Sequence, residues 1–330
     1  MSNAILVTGG AGYIGSHVVR QLGERGERTV TLDDLATGFS DAVLYGSLVE
    51  GNTGDRELVM HLLDEHQVDA VMHFAAFTIV PESVADPLRY YQNNTAATLN
   101  MLRCCREVGV RRFIFSSTAA VYGTPASGVC EETDPTAPIN PYGSSKLMSE
   151  WMLRDLSAAG DIDYVALRYF NVAGCDPGQR IGQSTRKATL LTKVTCEVAA
   201  GVRDHVKIFG TDYDTPDGTG VRDYIHVEDL ADAHVRALDH LRGGGDSLTL
   251  NCGYGRGFSV REVIDAVARA HGSPLKVIEE GRRAGDPPTL IARADRIRDV
   301  LQWSPRYDDL DVIVRTALAW EHKLKELRNS

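Results

Sequence analysis

The stretch AILVTGGAGYIGSH places Gly9, Gly12 and Gly15 at three-residue intervals between an apolar run and a helical pattern, and no other feature restricts the fold as far. Glycine is required where a backbone turns sharply and lies close to a pyrophosphate, whose charge is met by the N–H groups of a helix N-terminus. A glycine-rich turn is also an ordinary connection, but here it stands in the strand, turn and helix setting that a phosphate cradle needs. The first half of the chain repeats the alternation. TVTLDD, AVMHFAA, RFIFSS and Tyr164 to Tyr169 read as strands, and segments starting near Ser16, Arg56, Leu88 and Tyr142 read as helices. This predicts an α/β fold: a Rossmann-type doubly wound parallel sheet with helices on both faces.

Asp33 ends the second strand, about where a carboxylate bonds the ribose 2′-OH of NAD, and its charge repels a 2′-phosphate. NAD is therefore expected rather than NADP, with a plain turn residue as the other reading. Beyond Asn171 two turn-rich segments, CDPGQRIGQSTRK and GTDYDTPDGTG, flank a helical stretch from Ala188 to Gly201. Loops of this length bind something more often than they merely connect. The expected organisation is an NAD-binding domain over 1–171 and a smaller α/β substrate lobe over 172–330, with about 221–243 packing back on the first domain.

The balance of 45 acidic against 35 basic residues disfavours contacts to a phosphate backbone, so nucleic acid is set aside. No apolar run approaches the ~20 residues needed to span a bilayer. Six cysteines without a CxxC pair, and a start lacking a basic and apolar leader, predict a cytoplasmic protein with reduced thiols and no metal.

Two further segments carry chemistry. INPYGSSKLMSEWM offers Asn140 as N-cap and Pro141 as first helical residue, so Tyr142 and Lys146, four apart, share one helix face. Met148, Trp151 and Met152 fall on the other side, to be buried in the core or against a second subunit, leaving the Tyr/Lys side free. A phenol with a reference pKa near ~10 needs about 4 kcal/mol of differential stabilisation to act as a base near neutrality. A neighbouring ammonium and a cationic nicotinamide can supply it. Thr118, at a parallel strand end, can bond the same substrate oxygen. An isolated YxxxK on a helix surface is usually solvated, but here the glycine cradle and the FSST strand end accompany it.

With TGGAGYIGSH, HFAA, PESV, PLRYYQNN, FSSTAAVYG, NPYGSSKLMSE, LRYFN, IFGTDY, DGTGVRDYIHVEDLA and GDPP in order, nearly the whole chain resembles the extended short-chain dehydrogenase/reductase family, in particular its nucleotide-sugar 4-epimerases. The resemblance implies that Thr118, Tyr142 and Lys146 are catalytic: Tyr142 takes the sugar 4-OH proton while the C4 hydride goes to NAD, and the hydride returns after the 4-keto sugar has turned over. It places Gly9, Gly12, Tyr13, Ile14, Gly15, Asp33, Asn52, Thr53, Phe74, Ala75, Ala76, Asn93, Ser116 and Tyr169 around NAD, together with Tyr142 and Lys146. Around a UDP-sugar it places Asn171, Thr189, Leu190, Lys207, Phe209, Arg222, Tyr224, Arg283, Asp286 and Leu290, along with Thr118 and Tyr142. Guanidinium groups suit a diphosphate because they offer planar, charge-assisted bonds.

In the related 4,6-dehydratases the strand-end threonine is followed by Asp and Glu, which eliminate water; here Ala119 and Ala120 stand there, leaving only hydride return. The expected substrates are UDP-glucose and UDP-galactose, with UDP-N-acetylhexosamines or other UDP-sugars as the alternative and a non-catalytic NAD sensor as a reading from another class. Thr78 replaces a lysine of one branch, and Asn52 an aspartate beside the adenine. Leu290 stands where a large aromatic excludes an N-acetyl group and a small residue admits it, unless it packs in the core. His73 is read as a packing residue. Segments 88–108 and 142–158 are expected to form a homodimer interface.

Overall fold

The computed structural model describes residues 3–185, 188–283 and 285–329, so the last two residues of the first long loop and one residue of RRAGD lie outside the described residues. The chain begins β1 (Ala4–Thr8), α1 (Tyr13–Glu24), β2 (Arg28–Asp33), β3 (Ser47–Glu50), α2 (Arg56–Glu65), β4 (Val68–His73), α3 (Val80–Ala85) and α4 (Pro87–Tyr90). It continues through α5 (Ala97–Val108), β5 (Arg112–Ser116), β6 (Val129–Cys130), α6 (Pro141–Ala158), β7 (Asp163–Tyr169), β8 (Asn171–Ala173), α7 (Leu191–Ala199) and β9 (Val206–Phe209). Then follow β10 (Val221–His226), α8 (Val227–Arg242), β11 (Leu248–Cys252), β12 (Gly257–Ser259), α9 (Val260–His271), β13 (Val277–Glu280), β14 (Thr289–Ala292), α10 (Asp295–Leu301) and α11 (Leu310–Asn329).

Seven strands form the main sheet in the order β11-β7-β5-β4-β1-β2-β3, and every pairing is parallel. The order reverses between β1 and β4, which makes a crevice at the strands' C-terminal ends. The apolar runs are explained by burial on both faces. In β1, Ile5 and Val7 join the cluster on one face and Ala4 and Leu6 that on the other. Ile5, Leu6 and Val7 each contribute about 1.5–3 kcal/mol on full burial. A smaller sheet, β12-β10-β14-β6, carries β8 alongside β10, and β9 pairs with β13. Helix α8 packs against α1, and β11 against β7, so the chain returns to the main sheet after entering the smaller one.

Local signals account for the helix starts. Helix α1 begins at Tyr13, three residues before the expected Ser16, because Gly12 is already its extended N-cap. Asn140 caps α6, its side chain accepting from Gly143 N at 2.9 Å. Between α4 and α5 residues 91–96 wind as one π turn, a local widening often found at functional sites. It turns Asn94 inward, where its amide accepts from Phe77 N (2.8 Å) and donates to Phe77 O and to Ser145 Oγ (both 3.0 Å). Among the described residues no helix is long and apolar enough to cross a membrane.

Candidate active site

Three glycines shape the floor of the crevice. Gly9 has φ +69°, and a Cβ there would meet the backbone of Ala75 and Phe74 at 2.6–2.8 Å, so β1 turns directly against the end of β4. A Cβ on Gly15 would overlap the Gly9 carbonyl oxygen, whereas one on Gly12 would meet only that oxygen at 3.2 Å. No side chain caps α1 and its first turn holds no acidic residue. Its positive end is therefore open to an anion, and the residues present fit a dinucleotide pyrophosphate. Asp33 holds the same loop, accepting from Ala11 N and Leu35 N, both at 2.9 Å, while burial pushes its carboxyl above the ordinary value against those bonds. Asn52 accepts from Gly54 N at 2.8 Å and donates to Asp34 at 3.1 Å. Thr53 is buried and its carbonyl receives Asn100. Phe74 packs on His234 of α8, with ring centres 4.7 Å apart.

The strand end and α6 meet beside this cradle. Thr118 is the N-cap of a short 3-10 turn over Ala119–Tyr122, accepting from Ala120 N at 3.2 Å. Its side chain is close enough to the Tyr142 phenol to draw its pKa down. Lys146 Nζ donates to Ser116 O at 2.9 Å and lies 4.9 Å over the Phe115 ring. Ser116 Oγ and the Tyr169 hydroxyl are 2.6 Å apart. The expectation of a free Tyr/Lys face is corrected here: Tyr142 and Lys146 are buried beneath the strand ends, while Trp151 across the helix is 46% exposed. The reason is that α6 packs its Tyr/Lys side on the sheet.

Burial has opposite effects on the two groups. It pushes the Tyr142 phenol up, the Thr118 side chain working against it, and holds the Lys146 ammonium down to about 7, the Glu150 charge working against it. His73, which hydrogen-bonds Thr8 (2.7 Å) and Thr98 (3.0 Å), is lowered to about 3 by burial and by Lys146. It is a neutral packing residue, as expected.

The sheet register gathers residues far apart in sequence. Pairing of β10 with β8 sets Tyr224 beside Asn171, and pairing with β14 sets Arg222 beside Leu290. Arg222 donates to the Val221 (2.8 Å) and Pro288 (3.4 Å) carbonyls. Arg283 stacks on Phe209 of β9, its guanidinium carbon 3.6 Å from the ring centre. Lys207, on the same strand, pairs with Glu280 at 3.0 Å. Thr189, Leu190 and Asp286 are exposed, and Ala76 and Asn93 are half-buried. Residues not singled out from the sequence also enter: Asn94, Ser117, Glu150 and Arg168. Glu150 had a signal, since it follows Lys146 by four residues and so falls on the buried face of α6.

Similarity to known proteins follows the same lines. A UDP-glucose 4-epimerase of Azospirillum brasilense is 56% identical over 98% of this chain and 94% of its own length. The structure of UDP-glucose 4-epimerase from Brucella ovis in complex with NAD matches with a TM-score of 0.94 at 43% identity, over 97% of this chain and 99% of that one. The UDP-Glc/GlcNAc 4-epimerase from Campylobacter jejuni matches with a TM-score of 0.85 at 48% identity, over 98% of this chain and 100% of that one. Residues 5–253, which hold the cradle, the strand end and α6, match the NAD dependent epimerase/dehydratase family, and it is to that family that the chain belongs.

Proposed function

We propose that the chain interconverts UDP-glucose and UDP-galactose through a 4-keto sugar, as an NAD-dependent isomerase. The observation that carries the reading is the turn after β5, where Thr118 draws down the phenol of Tyr142, buried with Lys146 on one face of α6, and is followed by two alanines. NAD, when bound, supplies a hydride acceptor for C4 and a positive ring. Tyr142 Oη takes the proton of the sugar 4-OH, with Thr118 Oγ bridging the two oxygens. The phenol, raised by burial, needs positive charge close by, and Lys146 supplies part of it from the same face of α6. Ala119 and Ala120 hold no proton donor or acceptor, so elimination of water has no catalyst and the keto sugar can only be reduced again.

Asn171, Arg222 and Arg283 would hold the diphosphate while the sugar turns, and Phe209 would flank the uracil; the pairing of β10 with β8 and the stack of Arg283 on Phe209 support the reading. Leu290, half-buried beside Arg222, would line the sugar pocket, which favours a second, weaker activity on the N-acetylated pair. The protein would work in the cytoplasm, consistent with six buried, unpaired cysteines. It would be a homodimer, supported by Leu88, 76% exposed, and by Trp151 on two neighbouring helical segments.

The test is incubation with UDP-galactose carrying deuterium at C4, followed by NMR. UDP-glucose should form with the label still at C4. No conversion would refute the reading, and loss of label to water would refute internal hydride return.

A further inference from the structure

Glu150 is 5% exposed, one helical turn beyond Lys146. A carboxylate so placed is unfavourable unless fully bonded. Arg168 of β7 grips it with Nε at 3.0 and 3.2 Å from its two oxygens and a terminal nitrogen at 2.6 Å from one, and the Ser117 hydroxyl donates to it. Ser117 links Ser116, whose carbonyl receives Lys146, to Thr118, whose side chain draws down the Tyr142 phenol. Arg168 also reaches the Tyr122 hydroxyl (2.9 Å), which donates to Asn251 of β11 (2.7 Å), whose amide donates to Cys130 O of β6 (2.8 Å). The turn that carries Thr118 and the two alanines is thus held at both ends by one buried network.

We propose that Glu150 is a positioning residue: through Ser117 it holds the 116–118 strand end against Tyr142 and Lys146, and its charge keeps the buried Lys146 protonated. This rests on the epimerase reading above. The other groups near Lys146 cannot take over the second role. His73 of β4 is neutral, Tyr142 and Tyr169 are phenols raised by burial, and Arg168 is a cation. On the helices packed against α6, Glu82 and Arg89 pair with each other at 2.5 Å, and Arg103, Arg106 and Glu107 of α5 are exposed.

The test follows the Lys146 side chain directly, by the Cε shift of labelled lysine in the NAD-bound enzyme, beside the pH profile of kcat on UDP-galactose. Glu150→Gln should move the loss of the Lys146 proton about one pH unit lower. It should also reduce kcat about tenfold to a hundredfold with little change in KM. Because Glu150→Gln leaves Arg168 unpaired, the double variant Glu150→Gln/Arg168→Met removes both charges; its Lys146 titration and kcat should stay displaced even where its melting temperature recovers. Ser117→Ala should lower kcat with the Lys146 titration unmoved. Wild-type titration in the double variant, or wild-type kcat in Ser117→Ala, would overturn the proposal. If the wild-type enzyme leaves UDP-galactose unchanged, the epimerase reading fails instead, and the lysine titration still decides the charge role.

Discussion

Replacing Gly9 with alanine strikes the point where β1 turns into the cradle. Its φ of +69° costs a residue with a Cβ about 1–2 kcal/mol. The new Cβ would also lie 2.6 Å from Ala75 N and 2.8 Å from Phe74 C, which are backbone atoms and cannot swing aside. Overpacking of that kind costs about 1–3 kcal/mol, so Gly9→Ala should destabilise the chain by about 2–5 kcal/mol. Gly26 separates the two contributions: φ is +80° and nothing lies within 4 Å of a Cβ there, so Gly26→Ala should show the conformational part alone. Gly12→Ala tests the ligand side. Its φ is −79° and its one Cβ contact is Gly9 O at 3.2 Å, so Gly12→Ala should destabilise the chain less than Gly9→Ala, while the added methyl group at the glycine turn should weaken NAD binding. Urea unfolding and calorimetric titration with NAD on the three variants measure both effects. A wild-type unfolding midpoint in Gly9→Ala, or wild-type NAD affinity in Gly12→Ala, would refute the reasoning.

Tyr142→Phe should keep its fold and NAD affinity while losing roughly 10²- to 10⁴-fold in kcat, the range for removal of a general base; near-normal turnover would remove Tyr142 from the chemistry. Leu290→Ala should raise kcat/KM on the N-acetylated pair relative to UDP-glucose and UDP-galactose by ~10 to 200-fold at most, as apolar pockets discriminate only modestly. An unchanged ratio with lowered stability would return Leu290 to the core. Analytical ultracentrifugation at micromolar concentration should show the wild type as the proposed dimer and Trp151→Asp as a monomer; a monomeric wild type would refute the dimer, and a dimeric variant would place the interface elsewhere.

Five strands of the main sheet, β1, β2, β4, β5 and β7, were legible because their apolar runs are buried, so hydrophobicity alone marks them. Strand β3, exposed or half-buried throughout, and β11 at the other edge went unread. The cradle was legible because its glycines answer to local geometry. The short strands β8, β12 and β14 escaped notice: at three or four residues they carry no period, and β10, which pairs with all three, defines them. Helix α6 shows where pattern reading misleads. Tyr142, Lys146 and Glu150 look like a polar stripe, yet this is the buried face, and Ser116, Ser117 and Arg168 satisfy Lys146 and Glu150 internally. A linear sequence shows polarity but not where its bonds go.

The same burial raises the phenol and lowers the ammonium, so the chain alone favours neutral Tyr142 and leaves Lys146 on the edge of losing its proton near neutrality. The cost of that arrangement can be read in folding. In the folded chain Lys146 releases its proton near 7, whereas an unfolded lysine keeps it to about 10.5. Between those values the unfolded state binds more protons, so this group makes stability rise with pH; below about 7 its burden is fully present. Lys146→Met removes the titration and nearly preserves the volume. From pH 7 to about 8.5 the wild type should therefore gain about 1–2 kcal/mol relative to the variant, a difference in which other titrations common to both proteins cancel. Urea unfolding at several pH values gives the two curves. Parallel curves would mean that Lys146 holds its proton in the fold as firmly as in water, and the charge on Tyr142 would then have to be explained without a strained lysine.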